Sequence, residues 1–147
     1  AAQCGAILAK SESNTEKALQ SFGMQLGIAF QLIDDVLDYS GNTDELGKNI
    51  GDDLAEGKST LPLIYALRNG SDSQRDAILK SLNTEKLSRS MLENVIEIVQ
   101  NSGGINYTKN LAKTRAETAA EHLNSLPASK YRDSLENMVE FSITRKS

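Results

Sequence analysis

The sequence is short of the residues that build disulfides and imidazole metal sites. It has one cysteine, one histidine and no tryptophan among its 147 residues. A single cysteine excludes a disulfide within the chain and fits a reducing compartment, and we expect Cys4 to pack as a small core residue. His122 has no second histidine with which to bind a metal, so we expect it at the surface or at its boundary.

Long apolar runs and basic clusters are missing as well. No stretch reaches the roughly 20 apolar residues of a membrane-spanning helix, and no charged segment followed by an apolar one resembles a secretory leader. The net charge is −4, and the lysines and arginines form no stripe that would suit a phosphate backbone. These absences predict a soluble, cytoplasmic protein that does not bind nucleic acid.

What the sequence does contain is a series of helical patterns. Its 147 residues suffice for one core, so we expect a single domain over 1–147. Helices are predicted over 1–9, 13–39, 61–67, 88–100, 105–126 and 129–145, with a further helix start at Ser71. Ser13 and Glu16 have the spacing of a capping box. Residues 40–60 hold four of the ten glycines and are predicted to form a loop. No strand pattern is present, which predicts an all-α fold.

One helix carries three acids within an apolar segment. Residues 22–39, FGMQLGIAFQLIDDVLDY, are apolar on every side, which predicts a helix buried in a bundle. Asp34, Asp35 and Asp38 crowd one sector near its C-terminal end, where the helix dipole and their mutual repulsion disfavour anions. A solvated helix end is the simpler interpretation. Because the acids interrupt an apolar run, we favour bound Mg²⁺, which takes one or two carboxylates, waters and substrate phosphates.

The glycine-rich segment 40–60 places two Gly-Lys pairs directly after the acids. Lys48 follows Gly47, and Lys58 follows Gly57. A lysine ammonium binds phosphate well, and a flanking glycine lets the backbone approach a ligand. Taken alone, such pairs are more often solvated loop residues. Their position beside the carboxylates indicates an anion held between the metal and the amines.

Two motifs together resemble the trans-isoprenyl diphosphate synthases, or polyprenyl synthetases. FQLIDDVLD at 30–38 is similar to the second aspartate-rich motif of that family, and GKNIGDDLAEGKSTLP at 47–62 is similar to its lysine-bearing segment. The resemblance extends over essentially the whole chain and implies an all-α helical bundle of the isoprenoid synthase type. The flanks AAQCGAILA and GKSTLPLIYAL resemble the long-chain members. They imply an octaprenyl diphosphate product, used for the side chains of isoprenoid quinones.

The resemblance also implies a Mg²⁺-dependent prenyltransferase that condenses an allylic diphosphate with isopentenyl diphosphate, head to tail. Negative charge grows on the departing pyrophosphate, and Mg²⁺ and lysines aimed at it lower the barrier. The implied residues are Asp34, Asp35 and Asp38 for Mg²⁺ and catalysis, Lys48 and Lys58 for catalysis and the allylic diphosphate, Gln31 for the same diphosphate, Phe30 for the isopentenyl side, and Asp53 for metal-bound water.

The sequence also departs from the family pattern. Family members carry a first aspartate-rich motif and a Lys-Thr pair upstream of the helix that opens this chain, and neither is present in this sequence, which begins without Met. We therefore expect a C-terminal half that is inactive alone. The family resemblance implies a homodimer, and an apolar product implies peripheral contact with a membrane. Arg145 and Lys146, near the end of the chain, are expected only to aid solubility.

Two other functions fit parts of this pattern. A non-catalytic partner subunit of a heteromeric prenyl synthase could keep the fold, although it would not need to retain buried carboxylates and lysines. A terpene cyclase shares metal-dependent ionisation of a diphosphate, but the Gly-Lys segment resembles the chain-elongating enzymes instead.

Overall fold

A computed structural model describes residues 1–40, 51–84 and 86–145, and within these ranges every regular element is a helix. The helices are α1 (Ala2–Leu8), α2 (Ser13–Leu37), α3 (Asp52–Ala55), α4 (Leu61–Asn69), α5 (Asp72–Leu82), α6 (Arg89–Asn101), α7 (Gly104–Leu123) and α8 (Lys130–Thr144). The all-α prediction is confirmed. No helix in the described part of the chain has the length and apolarity needed to cross a membrane.

Two helix starts lie where serines predicted them, and a capping box is present at Ser71. α2 begins at Ser13, as predicted. At α5 the Ser71 hydroxyl accepts from the Gln74 N–H, and the Ser71 N–H donates to the Gln74 side chain at 2.9 Å. This reciprocal pair satisfies two backbone donors at the start of the helix. The prediction of a loop over 40–60 is wrong at Asp52–Ala55, which form the single turn of α3, and residues 41–50 lie outside the described residues.

The chain divides into two compact units. The first, here called the central unit, is Asp34–Lys109, in which α4, α5 and α6 pack against one another. Its buried core consists of Tyr39, Leu54, Leu63, Ala66, Ile78, Val95, Ile96, Ile98 and Val99. Four of these residues, Val95, Ile96, Ile98 and Val99, lie on α6. The expectation of a single domain over 1–147 stays a prediction.

The second unit, here called the terminal unit, combines Ala1–Ile33 with Asn110–Ser147. Its core joins α2 to α7 and α8 through Phe22, Ala29, Ala116, Ala119, Leu123 and Val139. The prediction that α2 is buried on every side is wrong for this unit, because Met24, Ile28 and Phe30 are exposed. α7 and α8 pack on one face of α2 and leave these apolar side chains on another.

The predictions for Cys4 and His122 have different outcomes. Cys4 is exposed on α1, so the expectation that it packs in the core is wrong. His122 is partly exposed near the end of α7, which confirms its predicted boundary position.

Candidate functional site

The three acids lie at the C-terminal end of α2, within the central unit. Asp34 and Asp35 are half-buried, and Asp38 is buried with 9% of its surface exposed. The N–H of Asp53, in the first turn of α3, donates to Asp38 Oδ1 at 3.4 Å. The N–H of Leu61, the first residue of α4, donates to Asp35 Oδ2 at 3.5 Å. The carboxylates of Asp38 and Asp35 therefore contact the starts of α3 and α4.

Asp38 carries an incompletely paired carboxylate. Its Oδ2 is buried and has no hydrogen-bond partner among the described residues. The pKa of the Asp38 carboxyl is raised from 3.8 to about 6, mainly by burial; the Asp53 N–H opposes this rise, and the charges of Asp53 and Asp52 add to it. A cation beside the carboxyl would favour its charged form and satisfy the orphaned oxygen.

The donor set fits a divalent cation that arrives with phosphate. In the described residues no group of three or more His, Cys, Asp or Glu side chains is arranged to hold a metal by itself. Mg²⁺ requires fewer protein ligands, because waters and substrate phosphates complete its octahedral shell. Carboxylates at Asp34, Asp35 and Asp38 offer hard oxygens, and the orphaned Asp38 Oδ2 is a place for positive charge.

Lys58 lies in the same cluster, held by two carboxylates. Its Nζ is 2.7 Å from Asp53 Oδ1 and 2.8 Å from Glu56 Oε2. These two bonds raise the pKa of Lys58 above its usual value, so its amine stays charged. The side chain is 57% exposed, so a phosphate can reach it. Asp53 thus contacts Lys58 through its carboxylate and Asp38 through its backbone. Lys48 lies outside the described residues.

Phe30 and Gln31 belong to the terminal unit. Gln31 is exposed on α2, and Phe30, 41% exposed, lines an open groove of about 770 Å³. Apolar residues of α2 and α8, including Leu26 and Met138, form much of its wall. The Arg145 guanidinium stacks 3.6 Å above the centre of the Phe30 ring, and its Nη2 donates to the Phe30 carbonyl at 3.0 Å. The prediction that Arg145 only aids solubility is therefore wrong.

Replacing Arg145 by alanine is expected to lower the free energy of unfolding by about 1 to 2 kcal/mol, because the variant loses a cation–π contact and a hydrogen bond. Arg145→Lys keeps the charge without the planar stack and is expected to lose about half as much. Urea unfolding measures both. The matched control is Lys130→Ala, whose amine lies 5.2 Å from the exposed Tyr131 ring. An equal loss of free energy of unfolding in Lys130→Ala would show that the stack of Arg145 on Phe30 contributes no more than an exposed cation–π contact.

Sequence reasoning missed three further residues of the central unit. Tyr39 and Thr60 share a buried hydrogen bond of 3.0 Å between their hydroxyls, and Gln100 Nε2 donates to the Tyr39 carbonyl at 2.9 Å. Burial raises the pKa of Tyr39 above its usual value, so this hydroxyl stays protonated. The only local signals were the end of the apolar helix at Tyr39 and the place of Thr60 in the GKSTLP motif. Neither signal indicates that the two residues meet.

Comparison with known proteins gives one family. The sequence profile described as polyprenyl synthetase matches residues 1–99. The octaprenyl diphosphate synthase of Haemophilus influenzae is 43% identical over 145 residues, which cover 99% of this chain and 44% of that protein. The all-trans-nonaprenyl-diphosphate synthase (geranyl-diphosphate specific) of Rhodobacter capsulatus is 45% identical over 141 residues, covering 96% of this chain and 43% of that protein.

Solved structures agree on the fold. A polyprenyl synthase from Caulobacter crescentus CB15, crystallised with calcium and isoprenyl diphosphate, superposes with a TM-score of 0.87 at 34% identity. The superposition covers 99% of this chain and 44% of that one. The chain thus spans less than half the length of the curated relatives and of this structure.

Proposed function

The chain belongs to the polyprenyl synthetase family, and we propose that the complete protein is a prenyltransferase that condenses an allylic diphosphate with isopentenyl diphosphate. One arrangement in the central unit carries the proposal. Asp53 donates its N–H to Asp38 and holds the Lys58 ammonium on its carboxylate. This brings hard oxygen ligands and a phosphate-binding cation into one cluster, as a metal-diphosphate site requires.

The acids would hold Mg²⁺, with Asp34, Asp35 and Asp38 as its protein ligands. When bound, the ion polarises the diphosphate oxygens and stabilises the negative charge of the leaving pyrophosphate. Calcium in the relative from Caulobacter crescentus supports a divalent ion. Mg²⁺ is proposed here because it is the usual partner of phosphate groups in sites with few carboxylates.

The lysines would bind the same diphosphate. Lys58 can exchange its contacts with Asp53 and Glu56 for phosphate oxygens, because all three groups are near the surface. Lys48 and Gln31 are proposed to bind the allylic diphosphate as well, and Asp53 to order metal-bound water. Phe30, on the groove of the terminal unit, is proposed to line the isopentenyl side.

The finer parts of the proposal concern product and assembly. Relatives named for octaprenyl and nonaprenyl products support a long chain, and we propose an octaprenyl diphosphate for quinone side chains. A homodimer, a cytoplasmic location and peripheral contact with a membrane through the apolar product are proposed with it. Because the chain spans less than half of its relatives, the chain alone is proposed to be inactive.

The test is a prenyl-transfer assay on the complete protein with Mg²⁺, radiolabelled isopentenyl diphosphate and a short allylic diphosphate. Wild-type protein is expected to form long-chain product. Lys48→Ala and Lys58→Ala are each expected to raise the KM for the allylic diphosphate about tenfold or more, since each loses a charge-assisted contact. Lys80→Ala, which removes an exposed lysine of α5, is the control. No product from the wild type contradicts the function. Unchanged KM in both variants contradicts the lysine assignment, and activity only with a second protein would indicate the partner subunit.

A further inference from the structure

Two side-chain hydrogen bonds, one of them buried, join the residues after α2 to the start of α4 and to α6 within the central unit. Tyr39 is fully buried, Thr60 is 5% exposed, and their hydroxyl oxygens lie 3.0 Å apart. Gln100, on α6, donates to the Tyr39 carbonyl oxygen at 2.9 Å. These three residues are here called the clasp. Its side-chain bonds connect residues 21 and 61 positions apart in the sequence.

The clasp is adjacent in sequence to the groups of the proposed diphosphate site. Tyr39 directly follows Asp38. Thr60 directly precedes Leu61, whose N–H contacts Asp35, and it lies two residues after Lys58. A shift of Thr60 relative to Tyr39 would therefore move the lysine relative to the acids.

The bonds from the Asp53 and Leu61 N–H groups to the carboxylates of Asp38 and Asp35 are long. The bond from the Asp53 N–H to Asp38 is 3.4 Å long, and that from the Leu61 N–H to Asp35 is 3.5 Å long. Both are weak, since N–H···O bonds cluster at about 2.9–3.0 Å. The Gln100–Tyr39 bond has an ordinary N–H···O length of 2.9 Å. The hydroxyl pair is 3.0 Å apart, at the long end for O–H···O bonds, and it is buried where a hydrogen bond is electrostatically stronger.

We propose that Tyr39, Thr60 and Gln100 are positioning residues of the diphosphate site. They keep the acids and Lys58 in register, so that Asp35 and Asp38 would be in place to hold a cation. The nature of the ligand, a diphosphate with a divalent cation, rests on the proposed function. The clasp itself does not, because it is defined by contacts within the central unit.

Two substitutions remove one hydroxyl each with little change of shape, Tyr39→Phe and Thr60→Val. Each is expected to lower kcat of the complete protein about tenfold, because misplacement of the reacting groups by a fraction of an ångström is costly. The double variant is expected to lose no more than either single one, since both hydroxyls act in one bond. Thr60→Ser keeps the hydroxyl and should restore most of the rate. Gln100→Leu is expected to cost about threefold, the loss of one neutral hydrogen bond.

The matched control is Thr108→Val. Thr108 is fully buried in the central unit, and its hydroxyl donates to the Gly104 carbonyl within α7 at 2.8 Å. This substitution is expected to lower the melting temperature as much as Thr60→Val does, with kcat unchanged. A similar loss of kcat in Thr108→Val would contradict the proposal, because it would show that the clasp variants lose activity through lower stability alone.

Amide hydrogen exchange measured by NMR tests the clasp without any activity. The N–H groups of Asp53 and Leu61 are expected to exchange about tenfold faster in Tyr39→Phe than in wild type, and at the wild-type rate in Thr108→Val. Unchanged exchange in Tyr39→Phe and Thr60→Val overturns the proposal, and so does faster exchange with unchanged kcat. So does a double variant whose loss is the product of the single losses. If the wild type transfers no prenyl group, the proposed function fails, and the exchange rates still decide whether the clasp holds.

Discussion

Asparagine in place of Asp34 is expected to lower kcat/KM of the complete protein for the allylic diphosphate by about 10²- to 10³-fold. The size is that of losing one preorganised group that stabilises charge developing in the transition state. Asp34 is half-buried at the C-terminal end of α2, where the helix dipole favours a cation. Asparagine has the same size but no charge, so little change in melting temperature is expected. Raising the Mg²⁺ concentration should recover part of the lost activity.

The control for this experiment is Asp76→Asn, which removes the same charge from an exposed position on α5 of the central unit. It separates the loss of a ligand from a general change of electrostatic potential. Isothermal titration with Mg²⁺ and inorganic pyrophosphate gives a second measurement that needs no turnover. If Asp34→Asn retains both kcat/KM and Mg²⁺-pyrophosphate affinity within twofold of wild type, Asp34 is not a metal ligand.

The parts of the fold that could be predicted depend on short-range signals. The Ser71–Gln74 pair marks the start of α5, because capping is decided within one turn. α3 was missed, since a four-residue helix has no apolar period to detect. The exposure of Met24 and Phe30 on α2 was missed for another reason. An apolar pattern shows only that a helix face is able to be buried. Whether that face is buried depends on which other elements pack against it.

The candidate site divides in the same way. The acids and Lys58 occur within 25 residues of sequence, so a sequence motif is enough to predict that they belong to one site. The contact of Arg145 with Phe30 spans 115 residues, and that of Gln100 with Tyr39 spans 61. No local pattern predicts which distant side chain packs against a given residue.

Gly51 is the backbone position where substitution should cost most. Its φ is +79°, and a Cβ added there would lie 3.0 Å from the Cδ1 atoms of both Ile96 and Leu92. We expect Gly51→Ala to lower the free energy of unfolding by about 2 to 4 kcal/mol, because left-handed strain and overpacking add. Gly57 has a similar φ of +73°, with no described atom within 4 Å of an added Cβ. Gly57→Ala should therefore cost only the strain, about 1 to 2 kcal/mol, as measured by urea unfolding.

The difference in free energy of unfolding between Gly51→Ala and Gly57→Ala measures the cost of the contact with the core. A second substitution, at Ile96, tests which side chain causes that cost. Ile96→Val removes the Cδ1 atom that the new methyl group would meet. The Gly51→Ala, Ile96→Val double variant should lose about 1 kcal/mol less free energy of unfolding than the two single variants lose together. Additive losses would mean that the contact with Ile96 does not contribute, and that strain and the contact with Leu92 set the cost. Because the Gly51 N–H donates to the Asp38 carbonyl at 2.9 Å, a backbone shift at Gly51 reaches the acids directly. Gly51→Ala should therefore also lower kcat, and Ile96→Val should restore part of it.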